Sequence, residues 1–96
     1  MVDKVSIVTG AARGIGLATS KLFISEGYQV VMVDRDADQL MLESEKLERS
    51  YPIVCDVAIE AEVKDMMFSV TEKMGRLDCI VNNAGVAEFD PIENVD

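Results

Sequence analysis

Four short apolar runs set the rhythm of the chain: Lys4–Thr9, Gln29–Asp34, Tyr51–Cys55 and Leu77–Asn82. The last three have centres of "VVMV", "IVC" and "CIV", with no polar interruption. Continuous apolar character, as opposed to alternation, predicts strands covered on both faces, as in a parallel sheet. Between the runs, apolar residues recur at helical spacing. Ile15, Ala18, Thr19, Leu22 and Phe23 make the first stripe. Ala37, Leu40, Met41 and Leu47 make the second, with Leu42 off it. Ile59, Val63, Met66, Met67, Val70 and Met74 make the third and best, with its methionines read as core filler. Gly27 and Gly75 follow the first and third helices, where a left-handed turn ends a helix. Pro52 stands near the start of the third strand, where a missing N–H is tolerable. Strand and helix thus alternate, four over three, which predicts an α/β chain wound in right-handed βαβ units. The tail from Ala87 to Asp96 reads as a loop, with another helix starting at Pro91.

Directly after the first strand comes "TGAARGIG", Thr9 to Gly16. A strand, a glycine-rich turn and a helix make an anion site from backbone alone, because the first amides of the helix lack partners and its dipole points its positive end at the turn. Gly10 suits a tight turn out of the strand. Gly14 and Gly16 leave no Cβ between the backbone and a pyrophosphate, or between helix and sheet. The spacing is neither G-x-G-x-x-G, since Thr19 stands where the last glycine would be, nor that of a nucleoside triphosphate loop. It is T-G-x-x-x-G-x-G. Asp34 ends "VVMVD", 18 residues beyond Gly16. A carboxylate there accepts two hydrogen bonds from a ribose diol and repels a 2′-phosphate, which favours NAD over NADP. Asp34 or Asp36 would also serve as a helix cap; we assign the cap to Asp36 and the ribose to Asp34.

Composition narrows the partners. Ninety-six residues, 49% of them apolar, suffice for one domain with a core. The formal net charge of -9 makes nucleic acid and anionic membrane poor partners, although such a surface often means no more than good hydration. The chain has no histidine, and Cys55 and Cys79 sit in apolar runs without metal-ligand spacing. We expect no metal site and two buried, reduced thiols, as in a cytoplasmic protein. No run approaches the roughly 18 apolar residues of a membrane span, and "MVDKVSIV" lacks the apolar core of a signal peptide.

Four motifs in order, "TGAARGIG" at 9–16, "VVMVDRD" at 30–36, "CDV" at 55–57 and "NNAG" at 82–85, resemble the amino-terminal half of a short-chain dehydrogenase/reductase and span nearly the whole chain. The resemblance implies a Rossmann-like, partial doubly wound parallel sheet. Its four strands would run in the order 3-2-1-4, with the first two helices on one face and the third on the other. It implies that Gly10, Arg13, Gly14, Ile15 and Gly16 border the pyrophosphate and nicotinamide ribose. Asp34 would hold the adenosine ribose, with Arg35 beside the adenine. Asp56 and Val57 would meet the adenine ring, and Asn83, Ala84 and Gly85 would line the end of the fourth strand beside the cofactor. Thr9 would tie the glycine turn to that strand end. Basic residues at positions 13 and 35 also occur in NADP users of the family, but Asp34 is the stronger discriminator, so NAD is expected. Taken singly, Asp56 reads equally well as a cap for the third helix, Asn82 and Asn83 as a strand end, and Arg13 as a solvated loop residue.

The resemblance also shows what is missing. Family members use a tyrosine with a lysine four residues on, a serine and usually an asparagine on a later helix. Here Tyr28 is followed at that spacing by Met32 and Tyr51 by Cys55, and Asn94 comes too early. Both tyrosines are expected to pack at a surface or strand edge. Residues 1–96 therefore read as an NAD-binding half domain without its catalytic half, inactive alone. An unpaired sheet edge and bare face would promote self-association or pairing with a complementary fragment. The competing reading is a non-catalytic dinucleotide-binding or interaction module. A receiver-like signalling domain fails, because it wants clustered acids where this chain has Thr9-Gly10.

Overall fold

The structure, a computed structural model, describes residues 3–83. Four strands and three helices alternate: β1 (Val5–Thr9), α1 (Gly14–Ser25), β2 (Gln29–Asp34), α2 (Ala37–Ser44), β3 (Ser50–Val54), α3 (Glu60–Met74) and β4 (Cys79–Val81). All pairings are parallel and the order is β3-β2-β1-β4, as the family resemblance implied. The expected tail from Ala87 onward lies outside the described residues.

β1 and β2 are the central strands, and apart from half-buried Gln29 and Asp34 every residue in them is buried. Val5, Ile7, Val31 and Val33 turn to one face, where Met66 and Val70 of α3 meet them with Val63, Met67 and Met74 alongside. Val8, Val30 and Met32 turn to the other, against Leu17, Phe23 and Ile24 of α1 and Leu40 of α2. Helices α1 and α2 thus share a face and α3 takes the opposite one. The outer strands are less covered than a continuous apolar run predicts, with Val54 and Ile80 each 47% exposed. Both strands have a single neighbour among the described residues, and Pro52 is accommodated in the middle of β3 for the same reason.

Two helix faces differ from the sequence expectation. In α1 the inward positions are Gly16 and Ser20, both buried, while Ile15 and Leu22 are 76% and 63% exposed. Small residues let the helix lie close to the sheet, and Ser20 Oγ is satisfied by donating to Gly16 O at 2.9 Å. A hydropathy stripe cannot mark a face built from glycine and serine. In α2, Leu40 and Ser44 point inward and Met41 is exposed, while Leu42 lies outside as expected. Punctuation matched expectation: Gly27 and Gly75 adopt φ of +93° and +73°, and Asp36 caps α2 by accepting the Gln39 N–H. Tyr28 meets Phe23 edge-on at 4.8 Å, and Tyr51, on edge strand β3, lies under Lys73. Of the two thiols, Cys55 is buried but Cys79 only half-buried, and burial pushes the Cys55 thiol up.

The first residue of β1, Val5, is joined to Asp78, the residue just before β4. Its Oδ2 accepts the Val5 N–H at 2.8 Å and its N–H donates to Val5 O at 2.9 Å. Arg76 donates to both carboxylate oxygens, at 2.8 and 2.7 Å. These bonds, the guanidinium's first, hold the Asp78 carboxyl down at about 2. A carboxylate held lower in the folded than in the unfolded chain stabilises above its unfolded value near 3.8 and ceases to do so as pH falls through about 2. Asp78→Asn should therefore flatten the loss of urea resistance between about pH 5 and about pH 2. An acid profile as steep as the parent's would remove Asp78 from this role.

Candidate functional site

Because all four strands are parallel, their carboxyl ends share one edge of the sheet. The winding reverses between β1 and β4, and such a reversal opens a crevice at that edge. The glycine turn lies there. Gly10 has φ +64° and Gly14 φ +59°, conformations that side chains disfavour. Arg13 is the N-cap residue of α1 and makes no side-chain capping bond. The intrahelical bond nearest the cap runs from Leu17 N–H to Arg13 O, so the amides of Gly14, Ile15 and Gly16 precede it. No acidic side chain stands in the first turn of α1, whereas α2 is capped by Asp36 and α3 begins with Glu60 and Glu62. The positive end of the α1 dipole is thus uncompensated by its own side chains.

The two helical glycines have separate jobs. A Cβ on Gly16 would sit 2.0 Å from Gly10 O and 2.8 Å from Asn83 Nδ2, so this glycine is required by packing inside the protein. A Cβ on Gly14 would meet nothing within 4 Å. Its bare backbone faces open space at the head of the helix.

Both sides of the turn are pinned. Ala11 N–H donates to Val33 O and Ala12 N–H to Asp34 Oδ2, each at 3.0 Å, while Asp34 Oδ1 accepts the Asp36 N–H at 3.0 Å. Toward β4, Thr9 Oγ1 accepts the Asn83 N–H at 2.9 Å and lies 3.2 Å from its acceptor Asn82 Oδ1; Asn83 Nδ2 reaches Gly10 O at 3.4 Å. Thr9 therefore makes the tie expected of it. Arg13 Nη2 contacts Asp36 Oδ2 at 2.6 Å. The Gln39 amide first, then Arg13, hold the Asp36 carboxyl below its usual range.

Gly10, Arg13, Gly14, Ile15, Gly16, Asp34, Arg35 and Asn83 thus fall at one edge, with Arg35 exposed in the bend after β2. Asp56 and Val57 follow β3 farther along it. Asp56 is no helix cap: Ile59 is, and Asp56 Oδ1 accepts the Ala58 N–H while its own N–H donates to Glu62. Val57 packs against the α3-side core. Ala84 and Gly85 lie outside the described residues. Sequence reasoning passed over Ala11 and Ala12, whose amides hold the turn to β2, and the partnership of Asp36 with Arg13. Their small size and the regular spacing carried no chemical signal.

An open groove of about 700 Å³ lies elsewhere, at the amino ends of the strands, lined by Leu22, Phe23, Tyr28 and Arg49 among others. It shares no residue with the glycine turn. Among the described residues no cluster of His, Cys, Asp and Glu is placed to hold a metal ion, and no helix is long and apolar enough to cross a membrane.

Residues 4–96 match the family model described as short chain dehydrogenase. An L-fucose dehydrogenase from Oryctolagus cuniculus is 43% identical over 82 residues, covering 85% of this chain and 29% of that protein. Among solved structures, the 3-ketoacyl-(acyl-carrier-protein) reductase of Brucella melitensis complexed with NADH superposes with a TM-score of 0.77 at 29% identity, over 82% of this chain and 33% of that one. A short-chain dehydrogenase/reductase from Burkholderia phymatum in complex with NAD gives 0.79 at 25% identity, over 82% and 30%. The chain spans about a third of the length of the curated relatives it matches.

Proposed function

The chain belongs to the short-chain dehydrogenase family, whose members bind nicotinamide dinucleotides, and from that premise we propose that residues 1–96 form the NAD-binding half of an oxidoreductase that moves hydride between NAD and an alcohol or ketone. The observation that carries this reading is the bare head of α1: uncapped amides, no acidic residue in the first turn, and open space at Gly14. The amides of Gly14, Ile15 and Gly16 face the diphosphate. Arg13 and the exposed Ile15 flank it, Asp34 takes the adenosine ribose diol, and Arg35 borders the adenine. Asp56 and Val57 meet the adenine from the β3 end, and Asn83, Ala84 and Gly85 line the nicotinamide side. The nicotinamide, when bound, supplies the hydride chemistry. Within these residues no tyrosine has a lysine four positions on, so the chain binds and orients the cofactor without turning over substrate.

Asp34 would repel a 2′-phosphate, which supports NAD over NADP. Half-buried and buried thiols at Cys79 and Cys55 suit the reducing cytoplasm, where we place the protein. Ile80, on the α3 face across from Ile7, and Phe68 are 47% and 68% exposed. They support self-association, or docking of a complementary fragment, along β4 and the face beside it.

The test follows NADH fluorescence during titration, the chain having no tryptophan to interfere. The parent should saturate with NADH, prefer it to NADPH and lose that preference in Asp34→Ala. It should reduce no NAD with simple alcohols, and light scattering should give a mass above one chain. Absence of a saturable NADH signal contradicts the reading; steady NADH production contradicts the assignment of inactivity, and a stable monomer the self-association.

A further inference from the structure

We propose that Asp36 is a second determinant of nucleotide choice, which acts by holding the Arg13 guanidinium away from the position a 2′-phosphate would take. The proposal rests on the dinucleotide reading and goes beyond it, since that reading leaves Asp36 as a helix cap alone. Asp34 organises the local geometry. Its Oδ2 accepts the N–H of Ala12, the neighbour of Arg13, and its Oδ1 accepts the N–H of Asp36. The backbones carrying Arg13 and Asp36 are therefore hung from the two oxygens of the carboxylate assigned to the ribose. A ribose on Asp34 brings its 2′ position beside both side chains.

Asp36 does two things at once. Oδ1 accepts the Gln39 N–H at 3.2 Å, which fixes the carboxylate, and Oδ2 takes Arg13 Nη2 at 2.6 Å. The same contacts keep the group ionised. A 2′-phosphate arriving here meets two carboxylates, and Arg13, which with the exposed Arg35 is one of two cations that would welcome it, already has a partner. The Arg13 and Asp36 side chains are 65% and 39% exposed, so the pair adds little to folding stability. Its consequence lies in where it keeps the guanidinium, because a freed Arg13 would make charge-assisted hydrogen bonds to phosphate.

The experiment compares dissociation constants for NADH and NADPH in the full chain, read by nucleotide fluorescence. Asp36→Asn keeps a good capping residue and releases Arg13; Asp36→Ser is a second cap that guards against a folding defect in the first. Both should tighten NADPH by roughly five- to tenfold, the scale of a single hydrogen bond of ordinary net strength, and leave NADH within about twofold. Read as the NADPH-to-NADH affinity ratio against Arg13→Ala, so that a lost diphosphate contact falls on both nucleotides alike, the gain should vanish in Arg13→Ala/Asp36→Asn; it should be absent in Asp38→Asn, which removes a first-turn charge of α2 for which no Arg13 contact is seen. A parent that binds NADH while both Asp36 variants keep its NADH-to-NADPH ratio overturns this inference alone. A gain that survives loss of Arg13, or that Asp38→Asn reproduces, overturns it too, as a bulk charge effect. A parent without saturable NADH binding overturns the dinucleotide reading and this inference with it.

Discussion

Gly16→Ala should cost the protein about 3 kcal/mol of stability, at the upper end of what overpacking a close-packed site costs. The reason is geometric. The added methyl would lie 2.0 Å from Gly10 O and 2.7 Å from Gly10 C, and both are backbone atoms that cannot swing aside. Relieving the overlap means pushing α1 off the sheet or opening the glycine turn. Either movement strains the bonds that hold the turn, those of Thr9 and Asn83 on one side and of Ala11, Ala12 and Asp34 on the other. Against a total stability of about 5–15 kcal/mol, such a loss is large. A urea titration followed by circular dichroism should show the midpoint lowered by roughly 1.5 M, taking a slope of about 2 kcal/mol per M. A midpoint within experimental error of the parent's would mean that α1 does not lie where the structure puts it.

Gly14→Ala should do the opposite: spare the fold and remove the binding. Its φ of +59° makes any side chain pay roughly 1–2 kcal/mol, yet the methyl meets no protein atom within 4 Å. The helix should therefore form, with nearly the parent's far-ultraviolet spectrum. The methyl would stand in the space assigned to the diphosphate, and NADH affinity should fall by at least about tenfold, equivalent to about 1.4 kcal/mol. Binding as tight as the parent's would place the diphosphate somewhere other than the head of α1. The contrast between neighbouring glycines is informative because one is filled by the protein and the other faces outward.

The alternation of strands and helices, the strand order and the division of helices between faces were legible because they rest on uninterrupted apolar runs and on four motifs in register. The inward face of α1 was not. Hydropathy marks a face by its large apolar residues, and this helix approaches the sheet through Gly16 and Ser20 while Ile15 and Leu22 look outward. The α3 stripe succeeded from Val63 onward for the complementary reason: Met66 and Val70 fill the space between helix and sheet, with Val63, Met67 and Met74 beside them, whereas Ile59, expected to begin the stripe, is the N-cap residue and 44% exposed. At the candidate site, residue types and spacing pointed to Gly10, Gly14, Gly16 and Asp34. They gave no hint that both Asp34 oxygens accept backbone amides, or that Asp36 takes Arg13. Those pairings join residues 22 or 23 positions apart or depend on local chain direction, which a linear pattern does not encode.

The amides at the head of α1 are the proposed seat of the diphosphate, and they can be watched one by one. NADH added to the uniformly ¹⁵N-labelled chain should move the Gly10, Ala12, Gly14, Ile15 and Gly16 backbone signals most, with Asp34 and Asn83 following at the same ligand concentration. Saturable movement confined to Phe23, Tyr28 and Arg49 around the groove at the other end of the sheet, with the glycine signals still, would contradict that placement.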